Sequence, residues 1–166
     1  MDSPLVAPLN RVPYHLGIAT CDLERARSQL GDLLGVTWSP KRTVEGELPT
    51  VGAHAGPTRR MHSLGGPMRV ELIEGTAESV WATTRIAELH HYAYWSADVA
   101  SDVQGLVALG WQVEMSTVDR EGRPTVFAYL VKPGHIRIEL LADSQRPAYE
   151  DVVGVRVATD VSVSIA

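Results

Sequence analysis

The chain has 166 residues, 45% of them hydrophobic and 21% charged, with a formal net charge of −5. That balance excludes a disordered chain, and the length is enough to bury a core without help from disulfides or metals. A single cysteine, Cys21, excludes a disulfide scaffold and a Cys-rich zinc module, and the lack of a basic stripe argues against a nucleic-acid partner. No apolar run approaches the roughly 20 residues that span a bilayer, and the first residues lack the order of a signal peptide. A cytoplasmic protein with no membrane partner is therefore expected.

Taken in chain order, the segment from Tyr14 reads as a strand ending in Asp22, which can cap a following helix. Leu23, Ala26, Leu30 and Leu33 recur at helical spacing, and Gly35 ends the run. Val36 to Val44, Thr58 to Leu64 and Met68 to Ile73 read as three more strands. They are separated by turns around Glu45-Gly46-Glu47-Leu48-Pro49 and Gly65-Gly66-Pro67. Residues 76–87 form a linker in which Glu78, Trp81 and Arg85 fit a short helix.

The same order then recurs. His90 to Val99 aligns with Tyr14 to Leu23, each ending in a strand, an aspartate and a helix. Val99, Val103, Leu106 and Leu109 carry the second helical spacing, with Gly110 at its stop. Trp111 to Val118 and Thr125 to Val131 read as strands, and Ile136 to Leu141 matches Met68 to Ile73 with arginine and glutamate in the same places. The expectation is one α+β domain spanning residues 1–166, built of two βαβββ modules (12–75 and 88–143) around a cupped, half-open mixed β-sheet barrel. The extension 144–166 has an alternating segment, Val153 to Ile165, that fits an added strand.

Strand parity singles out four side chains. His15 lies on the face opposite Leu16 and Ile18, and Glu71 opposite Val70 and Leu72. His91 and Glu139 take the same positions in the second module. His90 is the rival of His91, since a one-residue slip would exchange their faces; the repeat alignment selects His91. Two imidazoles and two carboxylates balance one divalent cation and suit Zn, Ni, Co, Mn or Fe(II). Arg69, Arg137 and Trp95 share the ligand face and are candidate substrate-binding residues. His54, His62 and His135 lie in or near turns; His62 could reach the site, and the surface is the expected place for all three.

The stretches YHLGIATCDLERA, MRVELIEG, HHYAYWSADV and FAYLVKPGHIRIELLAD resemble the vicinal oxygen chelate superfamily, the glyoxalase, bleomycin-resistance and dioxygenase group, over residues 12–143. The resemblance implies a cupped metal site whose ligands are His15, Glu71, His91 and Glu139, often in a homodimer. It further implies that Glu139 or Glu71 acts as the base. The second half is most similar to methylmalonyl-CoA epimerases, whereas the His/Glu/His/Glu set matches bacterial-type glyoxalase I. Epimerases carry Gln at the second ligand position, and their Glu-Gln-Gly-Val-like stretch has no match at residues 44–49, where Glu45 or Glu47 could stand in for their base. The implied activity is that of a divalent-metal-dependent isomerase, epimerase or lyase. It would polarise a carbonyl of an oxygenated small molecule and stabilise an enolate-like intermediate. The alternatives are a ligand-sequestering resistance protein of the same fold and a ring-cleaving dioxygenase.

Overall fold

The computed structural model describes residues 9, 11–44, 50–53, 56–66 and 68–154. The first module contributes β1 (His15–Ala19), α1 (Leu23–Leu34), β2 (Thr37–Trp38), β3 (Arg42–Val44), β4 (Thr50–Gly52), β5 (Thr58–Leu64) and β6 (Arg69–Glu74). The second contributes β7 (Glu88–Ser96), α2 (Val99–Ala108), β8 (Gln112–Val118), β9 (Pro124–Val131) and β10 (Arg137–Ala142). A 3-10 turn over Asp143–Gln145 then leads into α3 (Arg146–Val153).

Both helices start where the aspartates place them. The Asp22 carboxylate accepts the Arg25 amide at 3.0 Å, and Asp98 accepts that of Ser101 at 3.0 Å. Gly35 ends α1 at φ 63°, in the left-handed region that a side chain would disfavour. Each helix covers the outer face of its own module. Leu23 and Ala26 pack on Met61, Val70 and Leu72, while Val99, Val103 and Leu106 pack on Ala128, Leu130, Ile138 and Leu140. Burial of these apolar side chains, each contributing about 1.5–3 kcal/mol, frees the opposite sheet face to line a cup.

The strands form one open mixed sheet in the order β2-β5-β6-β1-β7-β10-β9-β8-β4, with β3 also pairing β5. The two first strands, β1 and β7, are antiparallel neighbours at its centre, and each has its module's last strand, β6 or β10, parallel on its outer side. The expected long strand over Val36 to Val44 is broken by Ser39-Pro40-Lys41 into β2 and β3, because proline supplies no amide to a ladder. β4 crosses over and pairs with β8 of the other module.

Register across the four central strands sets the site. One row runs Glu71–Gly17–His91–Arg137 and the other Arg69–His15–Ala93–Glu139. In each row a histidine and a glutamate are separated by one small residue. The separation is needed sterically, since a Cβ on Gly17 would fall 1.9 Å from Cε1 of His91 and 2.2 Å from its Nδ1. The ladder between β1 and β7 shifts after Gly17. Ile18 faces Leu89, so β7 carries one extra residue, His90, as a β-bulge.

Two further expectations are corrected. Residues 76–87 form turns rather than a helix. The Ser79 hydroxyl donates to the Thr76 carbonyl at 2.9 Å, a local bond that competes with helix, and Trp81 is drawn into the core beside Ile73, Met115 and Phe127. The extension begins with α3, whose proline sits in the first turn, and Val153 ends that helix instead of opening a strand. The remainder of the expected strand and the turn at 45–49, with Glu45 and Glu47, lie outside the described residues.

Gly17→Ala is expected to cost about 1–3 kcal/mol by overpacking against a ring with no room to move. Urea denaturation reads this directly, and a midpoint equal to that of the wild type would contradict the row geometry.

Candidate metal centre

The two rows bring four side chains from both modules of one chain to a single point. His15 Nε2 lies 3.0 Å from His91 Nε2. Glu139 Oε2 is 3.4 Å from the first nitrogen and 3.3 Å from the second, and Glu71 Oε2 is 3.6 Å and 3.7 Å from them. His15, His91 and Glu139 form the tightest set, each offering one atom within 4.8 Å of the others. Glu71 stands at its edge, because its other oxygen is engaged elsewhere. Oε1 lies 3.5 Å from both Arg60 Nη1 and His62 Nε2.

This donor set fits a divalent cation. Two imidazole nitrogens face each other, and Glu139 Oε2 is buried with no hydrogen-bond partner among the described residues, an arrangement that costs free energy unless a cation or proton lies between the groups. Burial alone would raise the Glu139 carboxyl, but His91 and His15 outweigh it and hold the group well below the usual carboxylate range. Burial likewise opposes ionisation of Glu71, and there Arg60, His62 and His15 outweigh it. Both carboxylates are thus anions at neutral pH, as ligands must be.

Beside the four residues lies a cavity of about 350 Å³. Trp81, Phe127 and Tyr129 supply an aromatic wall, Arg60 and His62 a polar one, and α3 closes over it with Tyr149. Burial, with Glu139 and Glu71 nearby, raises the Tyr14 and Tyr129 phenols well above their ordinary value, and burial with Glu71 raises Tyr149. All three remain neutral. The Tyr14 and Tyr149 hydroxyls and Arg60 Nε are buried with no partner among the described residues, which leaves donors facing the cavity. A roomier cleft between α1 and β2, about 780 Å³, is lined by none of these groups.

The other sequence candidates sit elsewhere. Arg137 is paired with Glu114 at 2.6 and 2.9 Å, and Arg69 donates to the carbonyls of Gly65 at 3.0 Å and Ser63 at 3.4 Å. Trp95 stacks on Tyr14 with ring centroids 3.9 Å apart and carries the Arg146 guanidinium over its face. Among the described residues, the cavity lining includes none of these three. His135 is exposed as expected, and His54 lies outside the described residues. His62 corrects the surface expectation: it is 7% exposed and directly opposite Glu71 in the β5–β6 hairpin. The signal was present, since a tight hairpin at Gly65-Gly66 places His62 and Glu71 on one face. Arg60, two residues before His62, follows by the same parity. Tyr149 carries no such signal, because its helix lies in the extension beyond the repeat.

Burial, partly offset by Glu71, lowers His62 to about 4. Burial and His91 lower His90 to about 3. Unfolded histidines titrate near about 6.5, so between that value and these the unfolded chain binds protons that the native chain does not. Stability is therefore complete above pH of about 6.5 and falls as pH drops toward 4, by on the order of a few kcal/mol. Urea midpoints of chelator-treated protein at pH 7 and 4.5 measure this fall; equal midpoints would contradict it.

The sequence profile of the Glyoxalase/Bleomycin resistance protein/Dioxygenase superfamily matches residues 14–129. None of the curated proteins compared matches the chain. Among solved structures, methylmalonyl-CoA epimerase from Mycobacterium tuberculosis superposes with a TM-score of 0.58 at 18% identity, covering 90% of this chain and 96% of its own. Streptomyces coelicolor methylmalonyl-CoA epimerase, in complex with 2-nitronate-propionyl-CoA, gives 0.53 at 19% identity over 79% of this chain and 96% of that one. A mutant 4-hydroxymandelate synthase from Streptomyces coelicolor gives 0.55 at 20% identity; the match covers 79% of this chain but 38% of that one. At these identities the likeness is one of fold. Among the described residues, no helix is long and apolar enough to cross a membrane.

Proposed function

Because the chain belongs to the glyoxalase/bleomycin resistance protein/dioxygenase superfamily, we propose that it is a metal-dependent enzyme of the isomerase, epimerase or lyase type. Its substrate would be an oxygenated small molecule with an acidic C–H beside a carbonyl. The observation that carries this reading is the convergence of His15, His91 and Glu139, with Glu71 at the edge, beside a cavity of small-ligand size that His15, Glu71 and Glu139 line. His15, His91, Glu139 and Glu71 would hold the cation, which when bound supplies Lewis acidity toward substrate oxygens.

The remaining chemistry belongs to the chain. Glu71 is the proton-transfer group in this reading, because it stands apart from the tight trio, and the Arg60 guanidinium keeps it ionised. Glu139, the equivalent residue of the other module, is the base if the roles are exchanged. Arg60 and the tyrosine hydroxyls offer donors to substrate oxygens, and an acidic substrate group would find its counter-ion in Arg60. Trp81, Phe127 and Tyr129 exclude water from the apolar side. A second reading, the ring-cleaving dioxygenase, is favoured by the His15–His91–Glu139 trio, since two histidines and one carboxylate suit the non-haem Fe(II) of oxygenases; oxygen uptake with a catechol would separate it.

One divalent ion per chain is expected by equilibrium dialysis with elemental analysis. His15→Ala and Glu139→Ala should weaken uptake by at least about 100-fold, since loss of a ligand exceeds the 10–100-fold cost of losing an outer partner. Glu71→Gln should keep the metal within about 10-fold while slowing deuterium exchange into thioesters and keto acids, methylmalonyl-CoA among them, by about 100-fold or more. Undiminished metal uptake in both alanine variants would overturn the metal centre. Exchange unaffected in the Gln variant would move the base role away from Glu71. A stoichiometric ligand held without exchange in the wild type would favour a sequestering protein.

A further inference from the structure

We infer that His90 is a positioning residue that sets the tautomer of His91, leaving the His91 Nε2 lone pair directed into the metal centre. The inference rests on the metal reading above for its purpose, though not for its geometry.

The bulge in β7 is the starting point. In a regular strand His90 and His91 would take opposite faces of the sheet. The extra residue lets both rings be buried on the same side, with His90 7% exposed and His91 0%. His90 Nε2 lies 2.8 Å from the Val80 carbonyl oxygen. A carbonyl oxygen only accepts, so Nε2 carries a hydrogen and donates. The two Nδ1 atoms of His90 and His91 lie 2.9 Å apart, so one donates and the other accepts. A neutral His90 has already placed its one N–H on Nε2. Its Nδ1 is then the acceptor, and the shared hydrogen belongs to Nδ1 of His91. That leaves His91 Nε2 without a hydrogen, 3.0 Å from His15 Nε2 and 3.3 Å from Glu139 Oε2. The charged neighbours agree with a neutral His90. Arg137 donates to its backbone carbonyl at 3.4 Å, and no carboxylate among the described residues pairs with its ring.

The linker gains a purpose here. The Val80 carbonyl ends a relay that runs Val80–His90–His91, and Trp81, next in sequence, is anchored by its Nε1–H to the Tyr129 hydroxyl at 3.3 Å. The two modules differ at this point. The residue aligned with His90 is Tyr14, whose ring stacks on Trp95, and His15 Nδ1 is buried without a hydrogen-bond partner among the described residues. One histidine of the pair is therefore oriented from behind and the other is not, so His91 is the preset ligand. Outer partners of this kind fix the tautomer and ring orientation of ligating histidines and are worth about 10–100-fold in metal affinity.

Two readouts test this on the full chain. Long-range 1H–15N correlation spectra of the metal-free wild type at neutral pH should show His91 as the Nδ1–H tautomer. In His90→Phe, His91 should populate the Nε2–H tautomer, and zinc affinity by competition with a chromophoric chelator should fall about 10- to 100-fold. His90→Gln, which can still accept from His91, should recover most of that loss. Should the Phe variant fail to fold, the wild-type spectrum and the Gln variant decide. Nε2-protonated His91 in the wild type, or full zinc affinity in a folded Phe variant, would overturn the inference. A wild type that binds no metal but shows the Nδ1–H tautomer would overturn the metal reading and leave the relay standing.

Discussion

Everything in the cup depends on a steric constraint at two backbone positions. Ladder neighbours in a sheet lie about 5 Å apart, too close for an imidazole and a carboxylate to converge from adjacent strands along with their counterparts from the next row. Gly17 and Ala93 relieve that crowding. Each lies between a histidine and a glutamate of its row, Gly17 between His91 and Glu71, and Ala93 between His15 and Glu139. The His91 ring leans over Gly17, and the Nε2 atoms of His15 and His91 meet at 3.0 Å. The two rows are related by the antiparallel pairing of β1 with β7, so a module that places one His and one Glu yields a quartet when it is doubled.

The helices and the outer strands make this geometry stiff. Capped α1 and α2 pack on the apolar alternates of β6 and β10, which ties the polar alternates to the cup face. On the cup side, Arg60 and His62 hold one oxygen of Glu71, and the Val80–His90 relay backs His91. Burial penalises each charge there singly, yet the set as a whole stays ionised on the carboxylates and neutral on the phenols. Such a site favours a cation at its centre and, through Arg60, an anionic group nearby.

Much of this was legible in the residues. The repeat is carried by near-identical stretches, and parity on β1, β6, β7 and β10 is unambiguous because the apolar alternates point to a helix. His15, Glu71, His91 and Glu139 emerge from those two facts. What stayed hidden depends on non-local or irregular structure. A bulge breaks period-two parity, so the sequence posed His90 and His91 as rivals while the fold buries both. His62 adjoins a turn in sequence, but its pairing partner places it in the cup. Trp81 and Tyr149 belong to a linker and an extension whose local pattern carries no record of the cavity they line. Arg69 and Arg137 have the right parity, but each sits two positions from the glutamate of its own strand, where main-chain carbonyls or Glu114 take its guanidinium.

The central claim, that both modules supply ligands to one cation, is tested most directly by X-ray absorption of the cobalt-loaded protein. The account predicts a first shell of nitrogen and oxygen at about 2.0–2.2 Å, with the outer-shell scattering of two imidazoles. A spectrum with no imidazole contribution, as from a hydrated surface ion, would contradict it.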